Sequence, residues 1–174
     1  MNAAAAKIIA EGFLNGAFDV FDAMLSMTFT HAASDPQELT AETLNEQLTQ
    51  YPVVLEGRIE GELGAVAVLY TGLDAVRIAG FIQDKDTGER ATLEDEDREV
   101  LKEIAAAALG SGVTNLMERF GRNVEQLDLV ELLDTGPDAA GQLLELMGGG
   151  GALTPFTFDN NAGFSGQAVV VRSE

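Results

Sequence analysis

Two long amphipathic stripes, one at the start of the chain and one past its middle, constrain the fold more than any other feature. Between Ala3 and Met27, the residues Ile8, Ile9, Phe13, Ala17, Val20, Phe21, Met24 and Leu25 recur at spacings of three and four. That is the apolar face of a helix laid on a core. From Thr92 to Gly121 the pattern returns with Val100, Leu101, Ile104, Ala108, Val113, Leu116, Met117 and Phe120. Thr92 reads as its N-cap, with Asp95 three residues on as an acidic capping partner. Two helices this long, each with one sticky face, need a broad apolar surface to lie on.

The segments after each stripe can supply that surface. In the first half, Ser34-Asp35-Pro36 reads as a turn and N-cap, with Pro36 at the first helical position of a short helix running to Leu48. Val53, Leu55, the alternation Arg58-Ile59-Glu60 and the run Ala65–Tyr70 then read as a hairpin turning on Gly61-Glu62-Leu63-Gly64. Leu73 to Gln83 is helical again. The second half repeats the order. Leu127 to Leu133 is a strand, and Asp138 to Met147 a short helix stopped by Gly148–Gly151. Leu153–Phe158 and Gln167–Val171 then form a hairpin around Gly163-Phe164-Ser165-Gly166. The long helices superpose with Glu11 over Glu103, and the hairpins with Gly61 over Gly163. The expected fold is therefore α/β (α+β in stricter usage), one domain over residues 1–174 with pseudo-repeat halves at roughly 1–83 and 90–174. Their strands pool in one largely antiparallel sheet covered by the two long helices.

Composition narrows the function. The 174 residues are 46% hydrophobic, enough for a folded globule, and carry ten basic against 29 acidic side chains for a net charge of −19. Such a surface repels nucleic acid and anionic membranes, so the expected partner is another protein. Without cysteine there is no disulfide, thiolate metal site or Cys nucleophile. His31 is the sole histidine, and no Gly-x-Ser-x-Gly turn accompanies it. Neither a leader peptide nor a spanning helix is evident, which makes the cytoplasm the expected location. The acidic run from Asp84 to Asp97 lacks EF-hand spacing and reads as a solvated face. Gly148–Gly151 lacks the Lys-Ser/Thr of a phosphate loop and reads as a turn.

The stretch Leu93-Glu94-Asp95-Glu96-Asp97-Arg98-Glu99-Val100-Leu101-Lys102-Glu103-Ile104, continuing into Gly110-Ser111-Gly112-Val113-Thr114-Asn115-Leu116, resembles the signature helix of the CheC/CheX/FliY chemotaxis phosphatases and flagellar-switch proteins. The first helix, Phe13-Leu14-Asn15 to Met24, is similar to that of CheX-like members, and Asp128–Glu131 and Pro137–Gly148 resemble later elements. The resemblance implies a protein that meets a CheY-like response regulator or a switch component. Active members hydrolyse the regulator's aspartyl phosphate with a Glu and an Asn three residues apart on one helical face. The Glu anchors the regulator's active-site Lys and the Asn orients the attacking water, while any Mg²⁺ comes from the regulator, so no cofactor is expected of this chain.

On that pattern Glu103 matches the Glu, and Glu99 the polar position before it, but the Asn position holds Ala106. In the first helix Glu11 matches, the residue three on is Leu14, and Asn15 comes one place late. An alanine methyl cannot orient water, so catalysis on the second helix is expected to be lost. Glu99 and Glu103 remain as candidate binding residues, with Glu11 and Asn15 as an alternative catalytic pair. Three functions follow from the resemblance: a binder with weak or lost activity, a phosphatase using Glu11 and Asn15, or a scaffold like the FliM middle domain. A homodimer is a further possibility that the resemblance carries. Gly110 and Gly112 are expected to permit close helix-to-sheet approach, and Asn15-Gly16 a break in the first helix for the same purpose.

Overall fold

The computed structural model describes residues 2–59, 65–119, 121, 127–133 and 138–173. The first stripe forms α1 (Ala3–Leu25), capped by Asn2, whose side chain accepts from the Ala5 N–H. Ser26 closes α1 in the left-handed region, and Asp22 Oδ1 accepts from the Phe29 N–H at 2.8 Å. That bond turns the chain directly into an edge strand, β1 (Thr30–Ala33), followed by the two-residue β2 (Gln37–Glu38).

Here the structure corrects the sequence reading. No helix begins at Pro36. The Ser34 N–H donates to Pro155 O at 2.8 Å and the Leu39 N–H to Gly151 O at 3.0 Å, pinning the segment in extended form. The helix α2 (Ala41–Gln50) starts later, where Thr40 and Thr43 exchange side-chain and backbone bonds as a reciprocal cap. Such a cap satisfies two orphan donors, which Ser34 and Asp35 do not do here.

The hairpin strands β3 (Val53–Ile59) and β4 (Ala65–Tyr70) lie as expected, though the Gly61–Gly64 turn falls outside the described residues. Next come α3 (Gly72–Gln83), capped by Thr71, and α4 (Asp95–Arg119). α4 begins three residues after the expected Thr92. Asp97 explains the shift, because its carboxylate accepts from the Glu94 N–H at 2.9 Å and from the Arg90 guanidinium. The chain ends with β5 (Leu127–Leu133), α5 (Ala139–Leu146), β6 (Gly151–Asp159) and β7 (Ser165–Ser173). After α5, the Gly149 N–H reaches back to Leu144 O while Gly148 and Gly149 take positive φ, so the glycine run acts as a helix stop.

Among the described residues seven strands form one sheet in the order β1-β6-β7-β4-β3-β5, with β2 also on β6 and every pairing antiparallel. Exchanging β1, β3 and β4 with β5, β6 and β7 leaves this order unchanged. β1 and β2 are separate because Pro155 of β6 faces the gap between them and has no N–H to donate.

Both faces of the sheet are covered. α1, α3 and α4 pack over Val53, Leu55, Val66, Val68, Phe156 and Phe158, while α2 and α5 pack over Val54, Ala67, Leu69, Leu153 and Val169. The two long helices therefore cover one side only. Burial on both sides is why all six residues of β4 are apolar and buried, with no polar alternation.

Asp97, 2% exposed, ties the connection before α4 to that helix. Burial alone would raise its pKa, but the bonds from Arg90, the Glu94 N–H and Gln83 hold it below its ordinary 3.8. Replacing Asp97 by Asn should cost about 2 kcal/mol at pH 7, since Arg90 and the Glu94 N–H lose their charged acceptor. A depressed carboxyl stabilises the folded state fully above its unfolded value, and the contribution fades as pH falls through the folded one. The gap between parent and Asp97→Asn in urea melts should therefore start to narrow as pH falls below about 4. A gap as wide at about pH 2.5 as at pH 7 would remove the linkage. Asp74 acts in the opposite sense: buried in the first turn of α3, its carboxyl is raised by desolvation, and acidification relieves that cost.

Candidate functional site

α1 and α4 lie side by side and run antiparallel. A Cβ on Gly16 would sit 2.4 Å from Ser111 O and 2.7 Å from Asn115 Cβ, and one on Gly12 would meet Leu116 and Arg119. A Cβ on Gly112 would strike the Phe13 ring and, at 2.8 Å, Phe13 O. Gly112 and Gly16 thus permit helix-to-helix approach, not the expected helix-to-sheet approach. No break occurs at Asn15-Gly16, since α1 runs through it.

The outward strip of α1 carries Ile8, Glu11, Asn15 and Asp19, all exposed; Ile8, at 59%, and Met24, at 39%, thus lie outside the buried stripe they were expected to join. Glu11 and Asn15, four apart in an unbroken helix, share this face. Leu14, the residue three after Glu11, is 1% exposed and belongs to the core. On α4, Glu99, Glu103 and Ala106 are all exposed, and their spacing of four and three sets them in one row. The Ala106 methyl faces solvent where the resembling family would present a carboxamide.

The two sets are not brought together. Glu11 lies level with the Leu116–Arg119 end of α4, so Glu103 is about 20 Å away along the helix axis at 1.5 Å per residue. They form two separate faces at opposite ends of the helix pair.

Three features had no functional signal in the sequence. Asn115 Nδ2 donates to Gly12 O at 2.6 Å. The His31 ring stacks on Phe18 of α1, with centroids 4.7 Å apart and planes 11° from parallel. Burial lowers the His31 pKa below 6.5 against the opposing pull of Asp22, Asp19 and Glu11, which keeps it neutral at pH 7. An open groove of about 440 Å³ lies across β1, β6 and β7, where Thr30, Thr157, Asp159, Ser165 and Gln167 are exposed. It includes none of the expected site residues. Among the described residues no three His, Asp or Glu side chains converge as a metal site, and no helix is long and apolar enough to cross a membrane.

An antiparallel sheet covered on both faces, with a pair of long antiparallel helices on one of them, is shared with several chemotaxis and flagellar-switch proteins of known structure. Thermotoga maritima FliY superposes with a TM-score of 0.76 at 17% identity, over 98% of this chain and 89% of that one. A chain of the FliG–FliM complex from H. pylori gives 0.71 at 8% identity, over 96% and 90%. CheX from Vibrio vulnificus gives 0.58 at 15% identity, over 95% and 97%. No family model matches the sequence, and no curated protein matches it. The chain has the CheC/CheX/FliY fold.

Proposed function

We propose that this protein is a chemotaxis or flagellar-switch regulator that docks a phosphorylated CheY-like response regulator, or a switch component, on the outward faces of α1 and α4. Phosphatase chemistry on α4 is weak or lost. The observation that carries this reading is the exposed row of Glu99, Glu103 and Ala106. It keeps the carboxylates that would hold a partner and lacks the group that would place water. Both glutamates are solvated and carry no ion pair to a described residue, so they are free to meet a lysine on a partner. Hydrolysis of an acyl phosphate in a receiver needs little from the docking protein except an oriented water, and a methyl cannot supply that orientation.

A second reading, phosphatase activity on α1, is favoured by the exposed Glu11 and Asn15 on one face of an unbroken helix. A spacing of four keeps the pair adjacent but turns the carboxamide about 100° from the position three residues on. The lifetime of a phosphorylated CheY-type receiver, with and without this protein, separates the two. The first reading expects retention of the phosphorylated receiver on immobilised protein with its lifetime unchanged or extended. The second expects phosphate loss that disappears in Asn15→Ala. A receiver neither retained nor hydrolysed would leave a scaffold role like that of the FliM middle domain.

A further inference from the structure

The site residues of α1 are each followed by a glycine, Gly12 after Glu11 and Gly16 after Asn15, and both glycines face α4. Two glycines in one turn weaken the intrinsic helix preference where the functional side chains must be held still. One α4 side chain touches both. Asn115 Nδ2 donates to Gly12 O at 2.6 Å, and Asn115 Cβ lies 2.7 Å from where a Gly16 Cβ would be. A helical carbonyl has two lone pairs, so Gly12 O can accept from Asn115 while taking part in the helix ladder. That carbonyl sits at the start of the turn from which Asn15 projects. The α4 turn bearing Glu103 and Ala106 is built differently, from Ala105, Ala106 and Ala107, which hold a helix without a clamp.

We propose that Asn115 is a positioning residue for the Glu11–Asn15 face, fixing the Gly12–Gly16 turn so that the Asn15 carboxamide is presented to the partner in one orientation. The inference rests on the reading above that this face meets a receiver. A purely structural Asn115 would lower stability and leave the recognition by Asn15 intact, so the test is a cycle between the two residues. Affinity for a CheY-type receiver activated with beryllofluoride and Mg²⁺ is measured for the parent, Asn115→Leu, Asn15→Ala and the double variant, alongside thermal midpoints.

Asn115→Leu should weaken binding about five- to tenfold in the parent background, the worth of one oriented hydrogen bond. It should weaken it less than twofold once Asn15 is Ala, while the thermal midpoint drops equally in both backgrounds. Equal weakening in both backgrounds, or none in either with the proteins folded, overturns the positioning role. Absence of receiver binding by the parent overturns the receiver-docking reading on which the inference rests, and the inference with it. If Asn115→Leu does not fold, Asn115→Ala removes the same donor without adding bulk.

Discussion

Gly16→Val should lower the stability of this protein by about 2–3 kcal/mol, a substantial part of the roughly 5–15 kcal/mol a domain usually has. The first added carbon would stand 2.4 Å from Ser111 O and 2.9 Å from Ser111 C, both backbone atoms of α4 that cannot rotate away. Only separation of the helices relieves the clash. Separation opens the layer in which Phe13, Leu14, Ala17, Ala105, Ala108 and Val113 are buried together, and stretches the Asn115–Gly12 bond. Overpacking contributes about 1–3 kcal/mol and the weakened hydrogen bond about 1 more, and these outweigh the roughly 0.4 kcal/mol by which valine is the better helix former than glycine. At about 2–4 °C per kcal/mol, the thermal midpoint should fall by about 5–10 °C. Gly141→Ala is the matched control. Gly141 is on the exposed side of α5 with no atom within 4 Å of its missing Cβ, so the variant should gain about 0.5–1 kcal/mol. A Gly16→Val protein within 1 kcal/mol of the parent would show that α1 and α4 are not in rigid contact at this crossing.

That crossing also marks where the sequence stops being legible. Spacings of three and four were enough to find α1 and α4, because each helix buries one stripe and the signal is contained within the element. Ala65–Tyr70 could be read for the same reason, a continuous apolar run being what a strand covered on both faces requires. β1 could not. Thr30-His31-Ala32-Ala33 has little strand preference, and its pairing partner is Phe156–Asp159, more than a hundred residues downstream. Extended form there is imposed by tertiary contact, and the same contact displaced the start of α2 from Pro36 to Ala41. At the candidate site, exposure of Glu11, Asn15 and Glu103 follows from their place outside the stripes. The contact of Asn115 with Gly12 does not, since nothing in either segment tells that these two turns meet. Nor does the stacking of His31 on Phe18, which depends on β1 lying against α1.

Ala106→Asn should raise, on α4, the phosphatase activity expected to be weak or lost in the parent. Ala106 and Glu103 are exposed and three residues apart, so an Asn at 106 would put its carboxamide beside the glutamate with no core atom displaced. The structural cost is only the lower helix preference of Asn, about 0.6 kcal/mol. The Glu103 carboxylate would hold the receiver's lysine while the new amide accepts and donates to the attacking water, turning an undirected encounter into an oriented one. Positioning of this kind should raise the dephosphorylation rate of a CheY-type receiver by about 10- to 100-fold. The experiment belongs in an Asn15→Ala background, so that α1 cannot contribute, and the added Glu103→Ala change should return the rate to baseline. Acceleration that survives Glu103→Ala would mean the new Asn works without its anchor. No acceleration, in a variant that still retains the phosphorylated receiver, would mean α4 does not face the acyl phosphate, and the α4 docking face would have to be given up.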